Sequence, residues 1–395
     1  MNPSSSPSAP GMLAATGLAS GDEATPELAA SAVRAALDRA GTSIARSVLL
    51  FLTPEFASHA HTAQAAVTAA AHAGHCLQVF GCTLPGVFTE RDQAFGRPAA
   101  AAMVLTDTIT LVSAEAGASA NVPCLSLAIP SSASRSWLET GPQRYGALST
   151  DAVAQRDGYL WNRGKLVAKG TCEAFLQGAD ACIGVSRGTR ILAAPLAITR
   201  SDGYKILSLA GQPALDTLLR ELPPDLREQL PLPHKIIYAG LFSATGDAAT
   251  ALAEGRYTLA PLLATSLEER SVTLAMRPPP GSSLFWALRQ PLAAEDDMRQ
   301  MLERVAPAIP NADSPTASPA FGLMFSCLGR SPCFHGIDDE ENDHESCRDL
   351  ALVRERFPSM PLIGACSAGQ IAPLSDGNRL IHNSVVLALF QEFHF

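Results

Sequence analysis

The sequence predicts an α/β protein, and three observations carry that prediction. Apolar runs of strand length alternate with Ala-rich stretches of helical period. The order strand, helix, strand, Gly-x4-Gly loop, strand occurs twice. The two loops begin at Gly81 and Gly364, 283 positions apart (364 less 81), and Met103-Val104 and Val386-Leu387 in the following strands keep that separation. A divergent internal duplication is the economical reading: two related mixed α/β domains with sheets flanked by helices. The expected division is a disordered tail over residues 1–24, one domain over 25–205 and a second over 206–395.

In chain order, the stretch before residue 25 is Ser, Pro, Ala and Gly with little charge, a composition that does not support a core. Thr25-Pro26-Glu27 then marks a helix start that runs to Gly41. Ser47–Leu52 is a buried strand. Thr53-Pro54-Glu55 repeats the start signature for a second helix ending at Gly74. A strand over His75–Phe80 feeds the first loop. The middle of the chain reads as short strands and turns, with a helix opening at Pro213 and another over Ala294–Val305. Residues 306–318 read as a linker. A strand over Ala320–Ser326, a helix within Asp338–Phe357 and the short run Leu362-Ile363 lead to the second loop, and a last strand follows it.

Bulk properties exclude several function classes. The formal net charge of −9 gives no footprint for nucleic acid or an anionic membrane surface. No apolar run reaches 18 residues, and the start lacks a secretory signal pattern. Nine scattered cysteines read as reduced thiols. The expected location is the cytoplasm, with neither nucleic acid nor membrane as partner.

Several stretches resemble the FIST (F-box and intracellular signal transduction) family. These are Phe325-Ser-Cys327-Leu-Gly-Arg330, the loop Gly364-Ala-Cys-Ser-Ala-Gly369-Gln370-Ile371, the strand Ile381–Phe390 and the segment Leu209–Leu215. Gly17–Gly21, the Ser47 strand and Gly81-Cys-Thr resemble the family's N-terminal region. One departure is Gln370, where the family usually has Glu. The resemblance implies a sensory module for a small ligand, an anionic metabolite such as an amino acid, with Arg330 as a ligand contact. With no output region after Phe395, signalling would pass to a separate protein.

Read for chemistry, Arg330 at a strand end can clamp a carboxylate or phosphate. Gly81, Cys82 and Thr83, and Gly364, Cys366, Ser367, Gly369 and Gln370, together with Cys327, would wall the ligand cavity with backbone N–H groups and hydroxyls. The alternatives are a surface arginine, or one paired with the acidic run 338–343, and inert buried thiols. An enzyme using Cys366 as nucleophile is a rival reading: the sequence offers candidate histidines as its base but no recognised catalytic signature. Cys327, Cys333, His335, His344 and Cys347 form a dense cluster of soft ligands without a compact Cys-x2-Cys knuckle, so no metal is assigned. His59, His61, His72 and His75 keep open a third reading, a non-covalent haem sensor of nitric oxide, which the family resemblance implies.

Overall fold

Side chains along a strand alternate between two faces, so a strand whose residues are apolar on both faces must lie between two layers. A computed structural model describes residues 12–116, 122–150, 157–168, 170–242, 247–253, 255–306, 318–330, 347–374 and 377–392. The chain opens with β1 (Ala14–Ser20), α1 (Pro26–Ala40), β2 (Ser47–Leu52), α2 (Ala60–Ala73), β3 (Val79–Thr83), β4 (Gly86–Thr89), β5 (Gln93–Phe95) and β6 (Ala99–Leu105). It continues with β7 (Thr110–Ser113), β8 (Cys124–Ala128), α3 (Arg135–Glu139), β9 (Arg144–Leu148), β10 (Leu160–Asn162), β11 (Lys165–Leu166) and β12 (Thr171–Gln177).

After β13 (Ala179–Ser186) comes a separate barrel segment. Its elements are β14 (Thr189–Ile191), β15 (Leu196–Asp202), β16 (Lys205–Leu209), β17 (Gln212–Pro213), α4 (Ala214–Glu221), α5 (Pro224–Arg227), β18 (Ile237–Leu241), α6 (Ala248–Ala253), β19 (Thr258–Ser266), β20 (Ser271–Leu274) and β21 (Ser283–Arg289). The chain then returns through α7 (Pro291–Val305), β22 (Phe321–Cys327), α8 (Arg348–Arg356), β23 (Leu362–Ser367), β24 (Gln370–Leu374), β25 (Gly377–Ile381) and β26 (Val385–Glu392).

Three six-stranded sheets share one topology. Their orders are β1-β6-β2-β3-β10-β11, β7-β12-β8-β9-β24-β25 and β13-β26-β22-β23-β4-β5. In each, the third and fourth strands are parallel, as in β2–β3, β8–β9 and β22–β23. All other neighbours are antiparallel. The last two strands of each sheet are a hairpin lent by another unit: β10–β11 to the first sheet, β24–β25 to the second, β4–β5 to the third. The protein is thus mixed α/β with helix-flanked sheets, and the expected twofold repeat is a threefold one.

Register fixes the equivalences. Gly81 lies opposite Leu50, Gly146 opposite Ser126 and Gly364 opposite Met324. On its other side each glycine faces a large residue of the lent hairpin: Trp161, Ile371 and Phe88. A Cβ at Gly81 would fall on the Leu50 carbonyl, and one at Gly146 on that of Ser126. At Gly364 it would strike the Phe88 ring. Glycine is what lets the crossing hairpin sit against the parallel pair. The closing strands differ from expectation by two residues. Ala102 pairs with Leu50 and Leu387 with Met324, so Ala102 and Leu387 correspond, 285 positions apart (387 less 102). The stretch between loop and closing strand is two residues longer in the third unit.

The inner faces of the three sheets meet in one core that includes Leu49, Phe51, Leu127, Tyr145, Phe325 and Phe390. Phe51 meets Phe325 edge-on with centroids 5.8 Å apart, joining first and third sheets. Helices α1 and α2 cover the first sheet's outer face, and α7 and α8 the third's. The barrel closes through β21-β15-β16-β20-β19-β18 and back to β21, around a core of its own.

Some expectations shift. The tail expected to residue 24 is shortened, because Ala14–Ser20 pair along β6 and are mostly buried. The boundary expected between residues 205 and 206 falls inside β16. The second helix begins at Ala60, after a 3-10 turn over Pro54–Ala57. Thr53 does not cap it, since its hydroxyl accepts from the Ala99 N–H at 2.9 Å. The expected linker lies almost wholly outside the described residues, as does the 338–346 part of the expected helix. The described part of that helix is α8.

Candidate functional site

Strand β22 ends beside β23, and the carboxyl end of a parallel pair is where α/β sheets place ligands. There Cys327 is followed by a 3-10 turn whose last residue is Arg330. The side chain is 1% exposed. Its Nε donates to Asp349 Oδ2 at 2.9 Å and its Nη2 to Oδ1 at 2.5 Å. Asp349 comes from the first turn of α8 and also accepts from the Ser326 hydroxyl at 3.1 Å. Nη2 further donates to the Ala294 carbonyl at 3.3 Å. Burial opposes the guanidinium charge, but Asp349 offsets it and holds the pKa above the ordinary arginine value.

Among the described residues Nη1 has no hydrogen-bond partner. It lies against Gly188, where a Cβ would collide with it. Asp297 of α7 holds the backbone there, accepting from the Arg187 N–H at 2.6 Å and the Gly188 N–H at 3.4 Å. Among the described residues, then, this end of the third sheet has a neutralised ion pair with one guanidinium nitrogen unspent.

The structure brings Cys327, Arg330, Cys366 and Ser367 to this end of the third sheet, with Cys366 fully buried, whereas Gly364 lies mid-strand between Met324 and Phe88. The neighbouring Cys347 thiol, burial and Cys327 push the Cys366 thiol well above its usual range. A nucleophile needs the thiolate, so this environment works against the enzyme reading. Ser367 turns inward, donating to the Gly369 carbonyl at 2.7 Å. Gln370 is wholly buried, donates to the Ser367 carbonyl at 3.2 Å and accepts from the Ser384 hydroxyl at 2.9 Å. An ionised glutamate, which only accepts, could not make the first of these contacts.

Gly81, Cys82 and Thr83 sit instead on the first sheet, around the β10 crossing. Thr83 accepts from the Tyr159 N–H at 3.0 Å, and Ser149 donates to the Thr83 carbonyl at 2.8 Å. Cys82 belongs to the central core, and burial raises its pKa well above the ordinary thiol value. The two loops are topological equivalents facing different surroundings.

Cys333, His335 and His344 of the soft-ligand cluster lie outside the described residues. Among the described residues no group of three His, Cys, Asp or Glu could hold a metal ion. His59, His61, His72 and His75 are all exposed. His72 and His75 border a cleft of about 810 Å³ that Glu27, Arg34 and Asp38 also line. Haem needs an apolar slot behind its axial ligand, and these residues do not fit one.

Sequence reasoning missed Asp349, the partner that defines the Arg330 environment. It also missed a polar group on the second sheet. Arg144 donates through Nε to Glu173 Oε1 at 2.6 Å, and the Ser126 hydroxyl donates to the same oxygen at 3.1 Å. Arg144 Nη1 reaches the Thr140 carbonyl, and its guanidinium stacks over Trp137 at 4.7 Å.

Comparison with known proteins gives a coarse answer. The FIST C domain matches residues 214–373, a span that holds Cys327, Arg330, Asp349 and the Gly364–Gln370 loop. An uncharacterized protein of Mycobacterium tuberculosis is 26% identical over 247 residues, 62% of this chain and 60% of the relative. An uncharacterized protein of Mycobacterium bovis is 25% identical over 250 residues, 62% and 59% of the two chains. The match thus spans about 60% of these relatives' length. No helix among the described residues is long and apolar enough to cross a membrane.

Proposed function

We propose that the protein is a sensory module binding a small anionic ligand where β22 and β23 end, with Arg330 as the recognition group. The ligand class is a carboxylate metabolite such as an amino acid, the location the cytoplasm, and the downstream element a separate protein. The observation that carries this is that Nη1 of a wholly buried arginine has no partner among the described residues. Buried polar groups are nearly always satisfied, so an orphan donor marks a place that a water, an ion or a ligand completes. The FIST C domain match over the same residues supports the ligand-binding reading.

A thermal-shift panel of amino acids and organic acids tests it. A ligand at a hundred times its Kd stabilises by about 2.7 kcal/mol, which a melting curve resolves. Arg330→Lys keeps a cation beside Asp349 and removes the guanidinium fork. It is expected to fold and to lose the shift. A panel without a hit, or a shift that survives in Arg330→Lys, counts against the assignment.

A further inference from the structure

The three sheets allow a residue-by-residue comparison of their outer faces. At the centre of the first are Val79, Leu50 and Ala102, all buried beneath α1 and α2. Their equivalents on the third are Leu362, Met324 and Leu387, buried beneath α7 and α8. On the second sheet the same three positions hold Arg144, Ser126 and Glu173. No long helix follows β7 or β8 among the described residues, and only the five-residue α3 packs nearby. Three apolar positions have become a hydrogen-bonded polar triad on this outer face, with Ser126 and Arg144 buried and Glu173 22% exposed.

That face opens into a cleft of about 950 Å³. Glu173 and Thr171 of β12 line it, with Glu115 after β7 and Asn162, Arg163 and Lys165 of the lent β10–β11 hairpin. Glu173 is 22% exposed, and its bonds to Arg144 and Ser126 both use Oε1. Among the described residues nothing bonds Oε2, which leaves it for a cation. Arg163 and Gly164 both have positive φ, the geometry of a two-residue hairpin turn that sets Asn162 opposite Lys165 and leaves both cations exposed.

We infer that this cleft is a second small-molecule site, distinct from Arg330, for a ligand carrying an ammonium at one end and an anionic group at the other. Glu173 Oε2 takes the ammonium, and Lys165 and Arg163 hold the anionic end. Arg144 is a positioning residue: it fixes the Glu173 carboxylate through the other oxygen. An ω-amino acid has the required charges, and a molecule with either charge alone satisfies only one wall.

The probes are 4-aminobutyrate, butylamine and butyrate, titrated into the full chain by calorimetry at up to ~10 mM, the range of weak single-contact ligands. 4-Aminobutyrate is expected to bind at least about tenfold more tightly than either single-charge probe, the factor for roughly one additional ion contact. Lys165→Glu with Arg163→Glu alters only exposed side chains and is expected to weaken 4-aminobutyrate about tenfold or more without changing the melting temperature. Arg330→Lys leaves this binding intact, which separates it from the reading proposed above. Equal affinity for butylamine, no 4-aminobutyrate binding, or an unaltered Kd in the charge-reversed variant overturns the inference.

Discussion

Two buried arginine–carboxylate pairs sit on outer faces of two equivalent sheets, and they differ in what surrounds them. Arg330 and Asp349 are each 1% exposed, sealed between α7, α8 and the start of the barrel segment. Arg144 is 5% exposed and its partner Glu173 22%, so water reaches the carboxylate. The same chemistry therefore does two jobs. Under helices it leaves one donor, Arg330 Nη1, unspent among the described residues, and on the second sheet it presents an anchored carboxylate to a cleft. A charge removed from water must be paired, whereas one that keeps contact with water tolerates a lost partner.

Removing the carboxylate breaks this comparison most directly. Asp349→Ala leaves the buried Arg330 guanidinium with the Ala294 carbonyl as its hydrogen-bond acceptor among the described residues and the Asp297 charge nearby. It is expected to cost about 4 kcal/mol in urea unfolding. Glu173→Ala leaves Arg144 with the Thr140 carbonyl, the Trp137 face and nearby water, and is expected to cost about 1–2 kcal/mol. Equal losses would show that the second pair is sealed as tightly as the first.

The apolar and polar triads offer the next test. Leu50→Ser or Met324→Ser makes a covered face resemble the bare one. Each buries a hydroxyl and leaves a void where Leu50 or Met324 was fully buried, at about 3 kcal/mol. The reverse change, Arg144→Val with Ser126→Leu and Glu173→Ala, removes the whole triad and is expected to change unfolding free energy by only about 1 kcal/mol. A large loss from the triple variant would mean that the triad holds the second sheet together.

Local signals made two of the three units legible. Gly81 and Gly364 announce themselves through glycine spacing and flanking apolar runs, and register makes them equivalent. The third copy at Gly146 was hidden for physical reasons. Its helix is five residues long, too short for a periodic signal. Its outer positions hold Arg144, Ser126 and Glu173, so its strands look like ordinary half-exposed ones. The exchange of hairpins was also illegible, because pairing Trp161 with Gly81 across eighty residues leaves no local trace. Arg330 was placed at a strand end, as the structure has it. The acidic run 338–343 is the carboxylate source the sequence offers as an alternative, whereas Asp349 lies inside α8, where a carboxylate in the first turn reads as ordinary dipole complementarity.

The smallest effect separates the two helical covers. Glu295 of α7 accepts from Arg348 of α8 at 3.1 Å and from Arg299 at 3.0 Å. No ion pair joins α1 to α2 among the described residues. The Arg348 hydrogen bond, against some burial, holds the Glu295 carboxyl below the usual glutamate range, with Arg299 adding to the effect. A carboxylate with a depressed folded pKa stabilises fully above its unfolded value, near 4.3. That contribution is lost as pH falls through the folded value. Both arginines are more than a third exposed, at 45% and 39%, so screening limits the effect to about 0.3 kcal/mol. Glu295→Gln should therefore lower stability slightly at pH 7 and leave it unchanged well below pH ~4, with the two urea-midpoint curves converging on acidification. Because α1 and α2 lack such a tie, hydrogen exchange should show the α7–α8 cover, and not the α1–α2 cover, loosening in the variant. Equal loosening of both covers would show that the ion pair does not distinguish them.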